Sequence, residues 1–273
     1  MTRAARAMEL IDCHAHLQSA NFPFLHNTIA DARAAGVSAI LNVSETLTDC
    51  AQVLELATTH PILRPCIGLH PVQPATGKSV TLADLPAVLT LISDNAERIV
   101  AVGEVGLDFS PHVLSTSLGT RDEEKAVQRE VFLTQARLAA SLGLPVNVHS
   151  RQAGHYAIAA MVEAGVGGLL HAFDGKVAHA MKGVQNGFFF SIAPSIVRSE
   201  HLRKLVRAVP LDHLVLETDS PALGPVSGVA NMPMNVRIAC EEVAKIKGIT
   251  VEDTAKMTTA NAIKCFPRLS NRE

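Results

Sequence analysis

Short apolar runs alternate with longer stretches of helical periodicity along the chain, and this alternation narrows the fold more than any other feature. The runs, rich in Val, Ile and Leu, occupy 9–12, 37–43, 62–68, 98–102, 145–148, 167–170, 187–192 and 214–217. Strands that alternate with helices imply a parallel sheet, and eight such units in about 250 residues match the number and size of a closed TIM-type (β/α)8 barrel, an α/β fold. Two helix starts are written plainly. Thr120 with Glu123 reads as a capping box opening a long helix that closes at Gly143 and Pro145, and Thr250 with Asp253 opens the last helix in the same way. No Pro/Gly/Ser-rich linker, low-complexity stretch or repeat divides the chain, so one domain over 1–273 is expected, with 1–8 a flexible N-terminus. The rival is an open doubly wound sheet, which calls for a G-x-G-x-x-G turn after its first strand; "IDCHAHL" at 11–17 holds no glycine.

In such a barrel the loops beyond the C-terminal strand ends carry the chemistry. His14 and His16 follow the first run, His70 the third, Glu104 the fourth, His149 the fifth, His171 the sixth and Asp219 the eighth. Taken singly, a histidine at a strand end is more often a hydrogen-bonded structural residue, and an aspartate there as often caps the next helix. His-x-His is a stronger pattern, because residues i and i+2 leaving a strand point the same way and can grip one cation. The whole set, on one face, has little reason to exist as core filler, and imidazoles with carboxylates are donors for divalent metals. Four histidines and two carboxylates exceed what one four-coordinate catalytic ion uses while keeping a position for water, so two ions are expected. His14, His16 and Asp219 are assigned to one, His149 and His171 to the other, and Glu104 to both. Two ions about 3.5–4 Å apart lower the pKa of a bound water and clamp the attacking and leaving oxygens of a displacement, the constellation of a hydrolase.

Composition bounds the partners. With 273 residues, 48% of them hydrophobic, and a formal net charge of -2, the chain can bury a sizeable core but has no surplus of cations for a broad basic surface. Any polyanion must be held locally. Nowhere do eighteen consecutive apolar residues occur, and neither a signal peptide nor a membrane span is expected. The five cysteines show no Cys-x-x-Cys spacing, and their odd number points to a reducing compartment. A cytoplasmic monomer is expected, with nuclear residence a second location that no long Lys/Arg cluster marks.

The strings "IDCHAHL", "GLHP", "VGEVGLDF", "PVNVHSR", "LLHAFDG" and "LETDSP" follow one another between Ile11 and Pro221, and "TTANAIKCF" comes later. Together they resemble the successive signatures of the TatD family of metal-dependent deoxyribonucleases, within the amidohydrolase-type barrels. The combination "VGEVGLDFSP", "NVHSR", "HAFDG" and "ETDSPALGP" is most similar to the third type of TatD-domain protein found in animals. The resemblance places metals on His14, His16, Glu104, His149, His171 and Asp219, the six already reached from strand-end position.

The resemblance also implies hydrolysis of DNA phosphodiester bonds, commonly 3′–5′ exonuclease trimming of single strands, with water activated by two ions of Zn, Mn or Mg. Asp219 then orients the nucleophile and takes its proton, with Glu104 bridging the ions. Arg151, two residues after His149, stands where a guanidinium can hold a phosphate. His70 is read either as a contact to substrate or as a structural residue. Asp108 supports a ligand rather than binding metal, and Cys13, its side chain opposite to its neighbours', is packing. Two departures affect substrate contacts: Ala230 precedes Asn231 where relatives often carry Arg, and Asp174 stands where they often carry Ser or Thr. Two other readings compete. A dinuclear hydrolase of a small amide, lactone or phosphate ester is favoured by the near-neutral charge, the single tyrosine and the lack of tryptophan for base stacking. A non-catalytic binding protein that keeps the fold is the other, disfavoured because all six metal-binding positions are intact.

Overall fold

The computed structural model describes residues 8–18, 22–114 and 119–270. Of the flexible N-terminus expected at 1–8, all but Met8 lies outside them. Eight parallel strands form the barrel: β1 Leu10–Ala15, β2 Val37–Val43, β3 Leu63–Ile67, β4 Ala101–Gly106, β5 Val146–His149, β6 Gly168–Leu170, β7 Phe189–Ile192 and β8 Leu214–Leu216. Each pairs with the next in sequence. The surrounding helices are α1 Leu25–Ala34, α2 Leu47–Thr59, α3 Leu85–Asp94, α4 Arg121–Ser141, α5 Gly154–Ala164, α6 Val177–Gln185, α7 Glu200–Ala208, α8 Val236–Lys247 and α9 Val251–Cys265. Both helix starts are as expected: Thr120 and Thr250 accept from the N–H of Glu123 and Asp253 at 3.3 and 3.0 Å. An unforeseen hairpin, Val72–Gln73 with Lys78–Ser79, follows β3.

The ring is drawn together between β8 and β1 by backbone just beyond β8. Asp219 N–H donates to His14 O and His16 N–H to Ser220 O, each at 2.8 Å, and Ala15 bridges to Ser220. Beneath this seam the Thr218 N–H and hydroxyl both donate to the buried Asp12 carboxylate, at 2.8 and 2.5 Å.

Apolar residues facing the helices, such as Leu10, Ile40, Leu63, Val102, Val146 and Phe190, form one core with the inner helix faces. A second group fills the barrel itself. Ile11, Cys13, Leu41, Cys66, Leu169, Phe189 and Val215 pack there against Phe266 and Leu269, which follow α9 and close the N-terminal end. Burying a phenylalanine contributes about 1.5–3 kcal/mol, and Phe266 is wholly buried.

Strand ends differ from the expected ones in two informative places. The first strand runs to Ala15 rather than 12, and the fourth spans Ala101–Gly106 rather than 98–102, so His14 and Glu104 lie within strands. The reason is a break in the two-residue period. Val102 and Val105 both face the helices although three residues apart, and the register shifts between Gly103 and Val105. The extra residue is Glu104, turned inward by the bulge. In β1, Cys13 belongs to the interior group and Ala15 to the outer one, with a shift between Asp12 and Ala15. Cys13 is therefore packing, but inside the barrel beneath His14 rather than opposed to it.

Candidate metal centre

Both glycines of "VGEVG" serve Glu104. A Cβ on Gly103 would lie 2.6 Å from Asn147 Cβ, so only glycine lets β4 approach β5 there, and Gly106 holds a φ of 142° with no room beside the His149 carbonyl. Between them, buried Glu104 sends its two oxygens to two different sets of donors. Oε2 lies 3.4 Å from His14 Nε2 and 3.3 Å from His16 Nε2. Oε1 lies 2.9 Å from His149 Nδ1, 2.8 Å from His171 Nε2 and 3.4 Å from His70 Nε2.

The first set is completed by Asp219, whose Oδ1 lies 3.6 and 3.5 Å from the Nε2 atoms of His14 and His16, themselves 3.2 Å apart. Donors around a tetrahedral ion at 2.0–2.2 Å stand about 3.3–3.6 Å from one another, and the spacings of the His14 and His16 nitrogens to Asp219 and to Glu104 fall in or close to that range, with His14, His16 and Asp219 forming a group able to hold a metal. In the second set His149 Nδ1 and His171 Nε2 are 3.4 Å apart. His70 belongs here too, since His70, Glu104 and His149 form a compact buried group able to hold a metal. All seven strand-end residues thus meet on one face.

Supporting residues fix the rings. His14 Nδ1 donates to Asn147 Oδ1 at 2.9 Å while Asn147 Nδ2 donates to Cys13 O at 2.9 Å, which leaves the His14 Nε2 lone pair toward the donor set. Asp108 Oδ2 meets His149 Nε2 at 3.2 Å, as expected of a supporting carboxylate. His70 Nδ1 lies 2.8 Å from Val72 O in the hairpin, which leaves Nε2 facing Glu104. Glu217 accepts from Ser191 Oγ and Ala172 N–H at 2.6 and 3.0 Å, beneath His171. Among the described residues the non-glycine positions with positive φ are Gln152, Ala172, Asp219 and Leu223. All lie on this rim, where backbone strain holds functional side chains in place.

The protonation pattern is that of a cage built for positive charge. Burial alone would lower the His171 pKa, but Glu104 raises it to about 10. Burial is likewise outweighed at His16, raised well above its ordinary value by Asp219 and Glu104. Against its own burial, Glu104 is pushed well below the carboxylate range by His70, His171 and His14. Asp219 is lowered, burial opposing, by His16, His14 and His171.

Above these donors opens a cleft of about 360 Å³. Arg151 lines it, its side chain half-exposed and Nη1 3.8 Å from Asp108 Oδ2. Glu45 and His112 also line it. Neither was foreseen, though Glu45 stands two residues past β2, where strand-end reasoning points. Asp174 accepts from Gln152 N–H at 3.0 Å, so its carboxylate is turned to the loop carrying Arg151. Beyond the seam, Asn231 Nδ2 donates to Thr218 O at 2.8 Å, and the preceding Ala230 is exposed. All five cysteines are buried free thiols. No described helix is long and apolar enough to cross a membrane.

A (β/α)8 barrel whose C-terminal face gathers buried imidazoles and carboxylates into cation-sized cages defines a metal-dependent hydrolase. The chain belongs to the TatD-related DNase family, whose model matches residues 11–267. It is 45% identical over 271 residues to Deoxyribonuclease TATDN3 of Homo sapiens, covering 97% of each chain. It is 30% identical over 265 residues to the metal-dependent hydrolase YabD of Bacillus subtilis, covering 94% of this chain and 98% of that one. Among solved structures it resembles the TatD homologue YjjV of Escherichia coli, with a TM-score of 0.81 at 25% identity over 96% of this chain and 99% of that one.

Proposed function

We propose that the chain hydrolyses DNA phosphodiester bonds as a 3′–5′ exonuclease on single strands, working as a monomer with two divalent ions. The observation that carries this reading is Glu104, whose two carboxylate oxygens serve two separate donor sets. His14, His16 and Asp219 would hold one ion, His149, His171 and His70 the other, with Glu104 shared. Histidine-rich sets of this kind suit Zn or Mn better than Mg on donor softness, while the family resemblance keeps Mg in play. Once bound, such ions acidify water and neutralise charge on a phosphoryl group.

The chain's own residues supply the rest. Arg151 reaches the cleft from the β5 loop and holds a non-bridging phosphate oxygen, a geometry suited to its planar guanidinium. Asp219 Oδ2, the oxygen not turned to the two imidazoles, orients the attacking water and receives its proton. Asp108 keeps His149 oriented and anchors Arg151 over the cleft. The cleft, about 360 Å³, fits one nucleotide better than a running duplex, which favours attack at a strand end. Localisation in the cytoplasm, with nuclear residence as the alternative, is part of the same proposal.

The test is a time course on end-labelled single-stranded and duplex oligonucleotides, with chelated protein reloaded with Zn, Mn or Mg, beside Asp219→Asn. Metal-dependent laddering from the 3′ end only with the native residue is expected. Intact DNA in all three metals, with ions still bound, would redirect the search to small esters.

A further inference from the structure

A strand held at the metal centre has little of its length inside a 360 Å³ cleft, since ligand pockets span roughly 300–1,000 Å³. The remainder must lie on the rim. One sector of that rim carries the chain's single tyrosine. Tyr156, in the first turn of α5, is 50% exposed, and the Phe109 ring lies 5.3 Å away at 61°. The His155 ring is 3.9 Å from that of Tyr156, and His155 in turn lies 4.9 Å from His179 in the first turn of α6. These rings follow β4, β5 and β6, so they share the face that holds the metal donors.

The row is continuous with the centre. Phe109 N–H donates to Arg151 O at 3.0 Å, and Asp108, the residue before it, sits 3.2 Å from His149 Nε2. Cations border it. Lys125 Nζ stands 5.8 Å from the Phe109 ring centre, and Lys176 and Lys182 are exposed. Burial and then the charges of His179, Lys182 and Lys176 hold the His155 imidazole below its ordinary pKa, which marks the local field as positive. Of the nearby acids, Asp122 pairs with Lys125 at 3.0 Å and Asp174 is turned to the Gln152 N–H. Exposed aromatic rings within a cationic border fit single-stranded nucleic acid, whose bases stack and whose phosphates pair.

Resting on the reading of the centre as a nuclease, we infer that Tyr156, backed by Phe109 and His155, is a stacking platform for a base of the strand beyond the nucleotide at the metals. Lys176 and Lys182 take the adjoining phosphates. A duplex cannot use the platform without unstacking, so the site is also a source of single-strand preference.

The test measures fluorescence anisotropy of a labelled thymidylate dodecamer on Asp219→Asn protein, where the strand stays intact, loaded with whichever of Zn, Mn or Mg supports wild-type cleavage. Adding Tyr156→Ala is expected to weaken binding about tenfold, and Tyr156→Phe to keep it within about twofold. An abasic dodecamer binds the proteins with Tyr156 and with Tyr156→Ala alike if the contact is to a base. Lys176→Gln with Lys182→Gln lowers the slope of log affinity against log salt by roughly 1.4. Equal thymidylate affinity with and without Tyr156→Ala overturns the platform, and an equal loss on the abasic strand overturns stacking. Wild-type cleavage, assayed separately, decides the reading underneath. Cleaved DNA with no Tyr156 effect leaves a nuclease without this platform, whereas no cleavage in any of the three metals overturns the nuclease and the platform together.

Discussion

Across the barrel, His14 on β1 and Asn147 on β5 face each other, with 2.9 Å between Nδ1 and Oδ1. That contact selects the His14 tautomer whose Nε2 points at Glu104 and Asp219. Asn147→Leu keeps the size and removes the acceptor, so metal affinity is expected to fall about 10- to 100-fold with circular dichroism unchanged. Chelator competition measures it, and an unaltered affinity would refute the role.

Asp219 belongs to one donor set only, while Glu104 belongs to both. Asp219→Asn is therefore expected to lower kcat by about 10²–10⁴-fold or more while the set around His149 and His171 still binds its ion. Metal analysis beside single-turnover kinetics checks this. Loss of all bound metal would show that the two sets are not separable.

Metal uptake should depend on pH in a direction set by the histidines. His171 is raised to about 10 and His16 well above its ordinary value, so without a cation both carry protons near neutrality. A folded pKa above the unfolded one, about 6.5, stabilises the metal-free protein below that value and loses the effect as pH climbs through about 10. Metal affinity runs the other way and rises over the same interval, because each ion must displace protons. Calorimetry near pH 7.5 in buffers of different ionisation enthalpy is expected to show at least about one proton released per ion. Buffer-independent heats would contradict it.

At the opposite end, Phe266 closes the barrel floor. Phe266→Ala should destabilise by about 3–5 kcal/mol, a fall of roughly 6–20 °C in Tm for a chain of this size. Metal stoichiometry measured well below the transition is expected to stay intact, separating the floor from the site.

Much of this architecture can be read from the chain directly. The run at 37–43 coincides with β2, because a parallel strand covered on both faces is mostly apolar, here interrupted only by Ser38 and Asn42. The strand-end logic brought seven residues to one face because loops over a barrel have only one rim to share. What escaped reading was local backbone geometry. Bulges at His14 and Glu104 break the two-residue period, so those strands look shorter in sequence than they are. Asn147 escaped notice because an amide inside a strand carries no positional signal until the opposite strand is known. A single tyrosine argues by count against base stacking, but a count cannot show that Tyr156 stands beside Phe109 and His155.

The seam that closes the ring joins residues far apart in the chain: Asp12 holds Thr218 across 206 positions. Asp219 meets His14 and His16 at that same joint. A chain still emerging from the ribosome, or cut short before its eighth strand, therefore has no complete first donor set, however well its earlier units have folded. The first donor set is thus completed late in synthesis, and any chain that stops short of Asp219 lacks it.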